Sequence, residues 1–213
     1  MVNKDKVIQL LEETKGQKIV AATKYVGVED IMTLVELGIR DIGENRVEAF
    51  LEKYEVLHDL DITWHFIGHL QSKKVKKMID LIDHLHSLDR MSLADEIQLR
   101  RKLPLKCFIE VNISGEASKY GLSPEEVITF CENLRNYDKI SIVGLMGMAE
   151  LTDDEETIER QFMVLNHLRL ELNQKLDMNL VYLSMGMSND YLIAIKCGST
   201  HLRLGSILFE KRG

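Results

Sequence analysis

The stretch KCFIEVNISGEASKYGLSPEEVITFCENLRNYDKISIVGLMGM, residues 106–148, contains one complete strand–helix–strand unit. Its ends, KCFIEVNIS (106–114) and ISIVGLMGM (140–148), are short apolar runs rich in β-branched residues that close in polar residues or glycine, the pattern of buried strands. Between them Ser123 precedes Pro124, Glu125 and Glu126, a helix-start signal, so a helix is expected over Pro124–Arg135. A crossover of this length returns the chain to the same edge, and the two strands should therefore lie parallel.

The same unit repeats outward in both directions. Upstream lie IVAATK (19–24), RDIGE (40–44), TWHFIGH (63–69) and HLHSLD (84–89); downstream lie LVYLSMGM (180–187) and HLRLGSI (201–207), for eight strand-like runs in all. Helix-like segments separate them at Glu29–Leu37, Val47–Leu57, Lys73–Leu81, Ser92–Arg100, Glu155–Leu176 and Asp190–Lys196. Eight such units can close on themselves, so the expected fold is α/β, a single (β/α)8 TIM-type barrel. Met1–Lys18, with apolar residues at helical spacing, would be an extra N-terminal helix. An open doubly wound sheet is the competing architecture, but no GxGxxG turn follows the first strand. With two prolines and no Gly- or Pro-rich linker, residues 1–213 are expected to form one domain.

Composition narrows the function classes. The balance of 27 Lys and Arg against 34 Asp and Glu, a net charge of −7, argues against broad electrostatic binding of nucleic acid. No apolar run is long enough to span a bilayer, and the N-terminus lacks the apolar block of a signal peptide, so a cytoplasmic protein without membrane contact is expected. Cys107, Cys131 and Cys197 form no CxxC pair and are read as reduced.

In such barrels chemistry sits at the C-terminal ends of the strands. There the sequence puts Lys24, then Gly43, Glu44 and Asn45, then His65, Gly68 and His69, and later Met146, Gly147 and Met148. The last two strands supply Ser184, Gly186, Met187 and Ser188, and Arg203, Gly205 and Ser206. Lys24 follows an apolar run and is expected to point into a site partly shielded from water, where burial and a cation such as Arg203 would favour a neutral amine able to attack an aldehyde. The loops after strands seven and eight have the glycines, hydroxyls and following helix N-terminus, near Asn189, that suit a phosphate. His65, His69, His84 and His86 raise the alternative of a metal-assisted hydrolase. Residues four apart on a strand lie about 13 Å apart, however, and no carboxylate cluster accompanies them, so no metal is expected and the histidines are read as packing groups or supports of the site. Met185 is read as core.

The motifs AATK (21–24), GEN (43–45), WHFIGHLQSKK (64–74), NISGEASKYGL (112–122), GLMGM (144–148), SMGMSND (184–190) and GSTHLRLGSILF (198–209) run through nearly the whole chain. With them the sequence resembles the pyridoxal 5′-phosphate (PLP) homeostasis protein family, which is similar to the barrel of alanine racemase. The resemblance implies PLP held as a Schiff base on Lys24. It implies phosphate contacts from Ser188 and its neighbour Met187 together with Gly205 and Ser206, Asn45 approaching the ring, Met148 packed near it, and Arg203 facing the pyridine nitrogen. Ser206 stands where the family often has Thr, Glu210 where it often has Gly, and Tyr25-Val26-Gly27 replaces a Pro-containing turn. These departures bear on loop shape.

Turnover by PLP needs an electron sink and a placed acid or base. An arginine facing the ring nitrogen opposes its protonation, and only Glu210–Gly213 follow the eighth strand, where alanine racemase draws its opposite-face base from a second domain. The expectation is a monomeric carrier with no catalytic residues that hands PLP to PLP-dependent apoenzymes. The alternative is a weak amino-acid racemase or lyase. Lys119 is read as a solvated loop lysine rather than a second aldehyde site.

Overall fold

The computed structural model describes residues 1–210. Eight parallel strands close a barrel in sequence order: β1 (Lys18–Ala22), β2 (Asp41–Glu44), β3 (Thr63–Phe66), β4 (His84–Leu88), β5 (Leu105–Val111), β6 (Ile140–Gly147), β7 (Tyr182–Ser184) and β8 (His201–Leu204), with β8 paired to β1. The expected closed barrel is thus observed, and the open sheet is not.

The helices are α1 (Lys4–Glu13), α2 (Val28–Glu36), α3 (Val47–Leu57), α4 (Met91–Arg100), α5 (Val127–Asn133), α6 (Glu155–Leu176) and α7 (Tyr191–Lys196). In α6 the buried residues Ile158, Phe162, Leu165, Leu168 and Leu172 recur at three and four positions, one stripe against the sheet. The helix stops at Asp177, which turns left-handed at φ 52°. Ser123 and Glu126 form the anticipated capping box, although the first turn, Pro124–Glu126, is 3₁₀ rather than α.

Several strands end two or three residues earlier than expected, and two segments depart further. In place of a helix over Lys73–Leu81 the chain makes 3₁₀ turns at Ser72–Lys77 and Ile79–Leu81. Val75 and Met78 are buried and Leu81 half-buried, a spacing of three that suits 3.0 residues per turn. The seventh strand is shorter than 180–187. Side chains of α6 take the backbone of Leu180, with Asn173 Oδ1 accepting from its N–H at 2.8 Å and Arg169 donating to its carbonyl at 3.0 Å, and Gly186 leaves the extended region at φ 95°.

The expected extra N-terminal helix is observed as α1, and it is tied to the far end of the chain. Val2 bridges Phe209, Asn3 N–H donates to Leu208 O at 2.9 Å, and Tyr191 of α7 donates its hydroxyl proton to Glu13 at 3.0 Å. The helix is therefore held between α7 and the segment that follows β8.

Aromatic and imidazole rings fill the barrel interior. His65 stacks on His84 (4.4 Å, 7°), His86 on Phe108 (4.3 Å, 26°), and Phe108 meets His201 edge-on (5.2 Å, 70°). The inside is a packed core and not a pore.

Candidate functional site

The residues singled out from sequence lie along one arc of the C-terminal mouth, because β6, β7, β8, β1 and β2 are consecutive neighbours. Met148 follows β6, Met187 and Ser188 follow β7, Arg203 and Gly205–Ser206 belong to β8 and its end, Lys24 follows β1 and Asn45 follows β2.

Lys24 departs from expectation in one respect. β1 ends at Ala22, so the lysine falls in the turn beyond it and is exposed rather than shielded, its Nζ 5.0 Å from the centre of the Tyr25 ring. What holds the turn lies beneath. Thr23 is fully buried, its hydroxyl donates to Glu44 Oε1 at 2.6 Å, and its carbonyl accepts from Lys53 Nζ at 2.6 Å. Lys53 also pairs with Glu44. The residues just before Lys24 and Asn45 are thereby tied to one ammonium on α3. Sequence reasoning missed Lys53, although its position on the buried stripe Val47–Phe50–Lys53–Leu57 marks it.

Asn45 is fixed from the other side by Gly68. A Cβ there would stand 2.3 Å from Asn45 O, so only glycine lets the two loops touch. Asn45 Oδ1 is buried and accepts no hydrogen bond from the described residues, an acceptor placed for an incoming donor.

The loops after β7 and β8 meet at Ser188, whose Oγ accepts from Gly205 N–H at 3.3 Å and Ile207 N–H at 3.4 Å. These are long bonds on convergent donors, the geometry that an anion would tighten. A Cβ on Gly205 would meet only Ala22, at 3.6 Å, which leaves a cradle beside the loop. The expected helix N-terminus contributes less. α7 starts at Tyr191, and the N–H groups of Asp190 and Tyr191 are already taken by Met187 O at 3.2 and 2.9 Å. Asp190 turns its carboxylate back on Met187 N–H at 2.5 Å, while burial holds its acid above the usual range. Ser206 is exposed at the rim.

Arg203 is 5 % exposed and anchored at three points: Nη1 donates to Ser184 O (2.6 Å) and Ser184 Oγ (2.7 Å), and Nη2 to Gly147 O (3.0 Å). Burial lowers its pKa to about 10, against the pull of Asp190 and Glu110, so it is a cation at neutral pH. Glu110, which the sequence did not single out, is 3 % exposed; burial and then Asp89 push its acid up to about 7, and its Oε2 has no hydrogen-bond partner among the described residues.

Across the mouth His69 stacks on Tyr120 at 4.1 Å, and Lys119 donates to Ala149 O at 3.1 Å while paired with Glu116. His65 and His86 are hydrogen-bonded to each other at 2.9 Å, with no room for an ion between. Among the described residues no group of three or more His, Cys, Asp or Glu could hold a metal.

The family model for the alanine racemase N-terminal domain matches residues 3–212. A protein of Aquifex aeolicus called pyridoxal phosphate homeostasis protein is 41% identical over 198 residues, covering 92% of this chain and 87% of its own. The structure of PipY from Synechococcus elongatus with PLP bound superposes with a TM-score of 0.89 at 28% identity, over 97% of this chain and 99% of that one. Alanine racemase of Clostridium difficile shares the fold, with a TM-score of 0.81 at 16% identity over 98% of this chain and 55% of its own.

Proposed function

The chain belongs to the alanine racemase N-terminal domain family, and from that premise we propose that it is a single-domain protein that holds PLP as a Schiff base on Lys24 and serves intracellular PLP homeostasis, storing and releasing the cofactor without efficient turnover. The observation that carries this reading is the junction at Ser188, where two backbone N–H groups of the loop after β8, those of Gly205 and Ile207, converge on the Ser188 hydroxyl of the loop after β7 beside the Gly205 cradle. A phosphate monoester fits that donor set. Relatives called pyridoxal phosphate homeostasis protein, and a solved relative with PLP bound, support the choice of ligand.

When bound, PLP supplies an aldehyde that condenses with a primary amine, water leaving, and a ring that draws electrons. The chain's own part is to bind and orient. Ser188, Gly205 and Ser206 hold the phosphate beside Met187, whose own N–H is engaged by Asp190, Asn45 offers its orphan Oδ1 to the ring substituents, and Met148 packs against the ring face. Arg203 presents a fixed cation to the ring nitrogen and opposes its protonation, which weakens the electron sink a turning-over enzyme needs. The exposure of Lys24 suits release and transfer to PLP-dependent apoenzymes.

One observation favours a second reading, slow racemase or lyase chemistry on amino acids: Glu110 is an acid of about the right strength, near 7, to exchange protons at working pH.

Absorbance between about 300 and 500 nm, before and after borohydride, tests the first reading in wild type and Lys24→Ala. A band near about 420 nm that reduction abolishes and the variant lacks is expected. A protein that stays colourless with added PLP overturns it. Amino-acid turnover that depends on both Lys24 and Glu110 would favour the second reading.

A further inference from the structure

Beneath Arg203 a single file of hydrogen bonds crosses the barrel. Arg203 Nη1 lies 2.7 Å from Ser184 Oγ, Ser184 Oγ 2.8 Å from His86 Nδ1, His86 Nε2 2.9 Å from His65 Nδ1, and His65 Nε2 2.9 Å from Asp41 Oδ1. Asp41 pairs with Lys18 at 3.2 Å on the opposite, N-terminal face, where Lys18 is half exposed. Ser184, His65 and His86 are fully buried.

The carboxylate at one end and the neutrality of the two buried imidazoles together fix the direction of every bond. A carboxylate has only lone pairs, so His65 donates from Nε2 to Asp41. Burial disfavours the imidazolium in both rings, so His65 Nδ1 accepts from His86 Nε2–H, and His86 Nδ1 accepts from the Ser184 hydroxyl, which itself accepts from the Arg203 guanidinium. Both imidazoles are then neutral Nε2–H tautomers.

We infer that Ser184, His86, His65 and Asp41 form a positioning chain that holds the Arg203 guanidinium in one orientation toward the PLP ring, with its polarity set by an anion on the far face of the barrel. The inference rests on the PLP reading for its ligand but not for the chain itself. Of the five N–H donors of Arg203, three are taken by Ser184 O, Ser184 Oγ and Gly147 O, which leaves two for a ligand. With Asp41 gone the histidines lose the reason to share one tautomer. With the Ser184 hydroxyl gone the guanidinium loses one anchor, and His86 Nδ1 loses its donor.

Two measurements test this. In ¹⁵N-histidine-labelled protein without added cofactor, near neutral pH, His65 and His86 should both be Nε2–H tautomers, and Asp41→Ala should shift at least one of them toward Nδ1–H. Either histidine as Nδ1–H or imidazolium in the wild type would overturn the chain, whatever the ligand. In protein loaded with ring-¹⁵N PLP, Ser184→Ala should move the ring nitrogen signal toward the protonated form and weaken PLP retention about tenfold, the loss of one charge-assisted hydrogen bond. Phe108→Leu, which removes packing against His86 but no link of the chain, should lower the melting temperature and leave the ring signal in place. A Ser184→Ala protein with the wild-type ring signal would overturn the positioning role while the PLP reading stands. A wild type that takes up no PLP would remove the ligand from both readings, and the tautomers would still decide the chain.

Discussion

Lys53 of α3 donates to the carbonyl oxygen of Thr23 at 2.6 Å and pairs with Glu44, so one buried ammonium ties the end of β1 to the end of β2. The two residues that follow these anchors are Lys24 and Asn45. Lys53→Met leaves a buried carboxylate without its cation. A cost of about 3–5 kcal/mol is expected by chemical denaturation, and PLP retention should fall with it. The double variant with Glu44→Gln should recover most of the stability and little of the retention, since the tie to Thr23 O stays cut.

Ser188→Ala removes the acceptor on which Gly205 and Ile207 converge. Because those bonds are long, the stability of the cofactor-free protein should change by less than about 1 kcal/mol. PLP should bind about tenfold more weakly, whereas pyridoxal, which has no phosphate, should bind variant and wild type alike. Equal losses for both ligands in an equilibrium titration would show that Ser188 does not meet the phosphate.

His84 and His201 are pushed down to about 3, by burial first and by the adjoining His65 ring second. Their folded pKa lies below the unfolded value of about 6.5. The folded state thus refuses protons that the unfolded chain takes up, and the stability these groups contribute is complete above about pH 6.5 and drains away as pH falls toward about 3. Between about pH 6.5 and 5 each should remove about 1 kcal/mol per pH unit, offset in part by Glu110, whose contribution grows as pH falls through the same window. Urea midpoints across that window should fall less steeply in His84→Phe, which keeps the stack on His65; identical slopes would contradict the assignment.

Glu110 works in the opposite sense. Its folded pKa of about 7 exceeds the unfolded value of 4.5, so the folded state retains a proton that the unfolded chain gives up. Its contribution is complete below about pH 4.5 and is lost as pH rises through about 7. Glu110→Gln mimics the protonated acid and should melt above the wild type at about pH 8, with the difference shrinking as pH falls and vanishing below about pH 4.5. Equal melting temperatures at the higher pH would place the carboxylate in a more solvated setting.

The barrel was legible because its helices declare themselves. α6 occupies Glu155–Leu176 as expected, since its apolar stripe repeats over six turns and no side chain outside it is needed to define its ends. At β7 the alternation of Leu183 and Met185 with Ser184 and Gly186 extends the apparent strand, whereas the backbone at Leu180 goes to side chains of α6. The same distinction holds at the site. Ser188, Gly205 and Arg203 stand at strand ends in recognisable motifs. Lys53 and Glu110 act through partners far away in the chain, and the exposure of Lys24 follows from a strand that stops two residues early.

The tie between α1 and the far end of the chain also orders assembly. Val2 and Asn3 find their backbone partners at Phe209 and Leu208. A chain emerging from the ribosome therefore makes α1 long before the segment its N-terminus pairs with exists. The entropy of closing so long a loop must be met before that contact stabilises anything, so it is expected to form late.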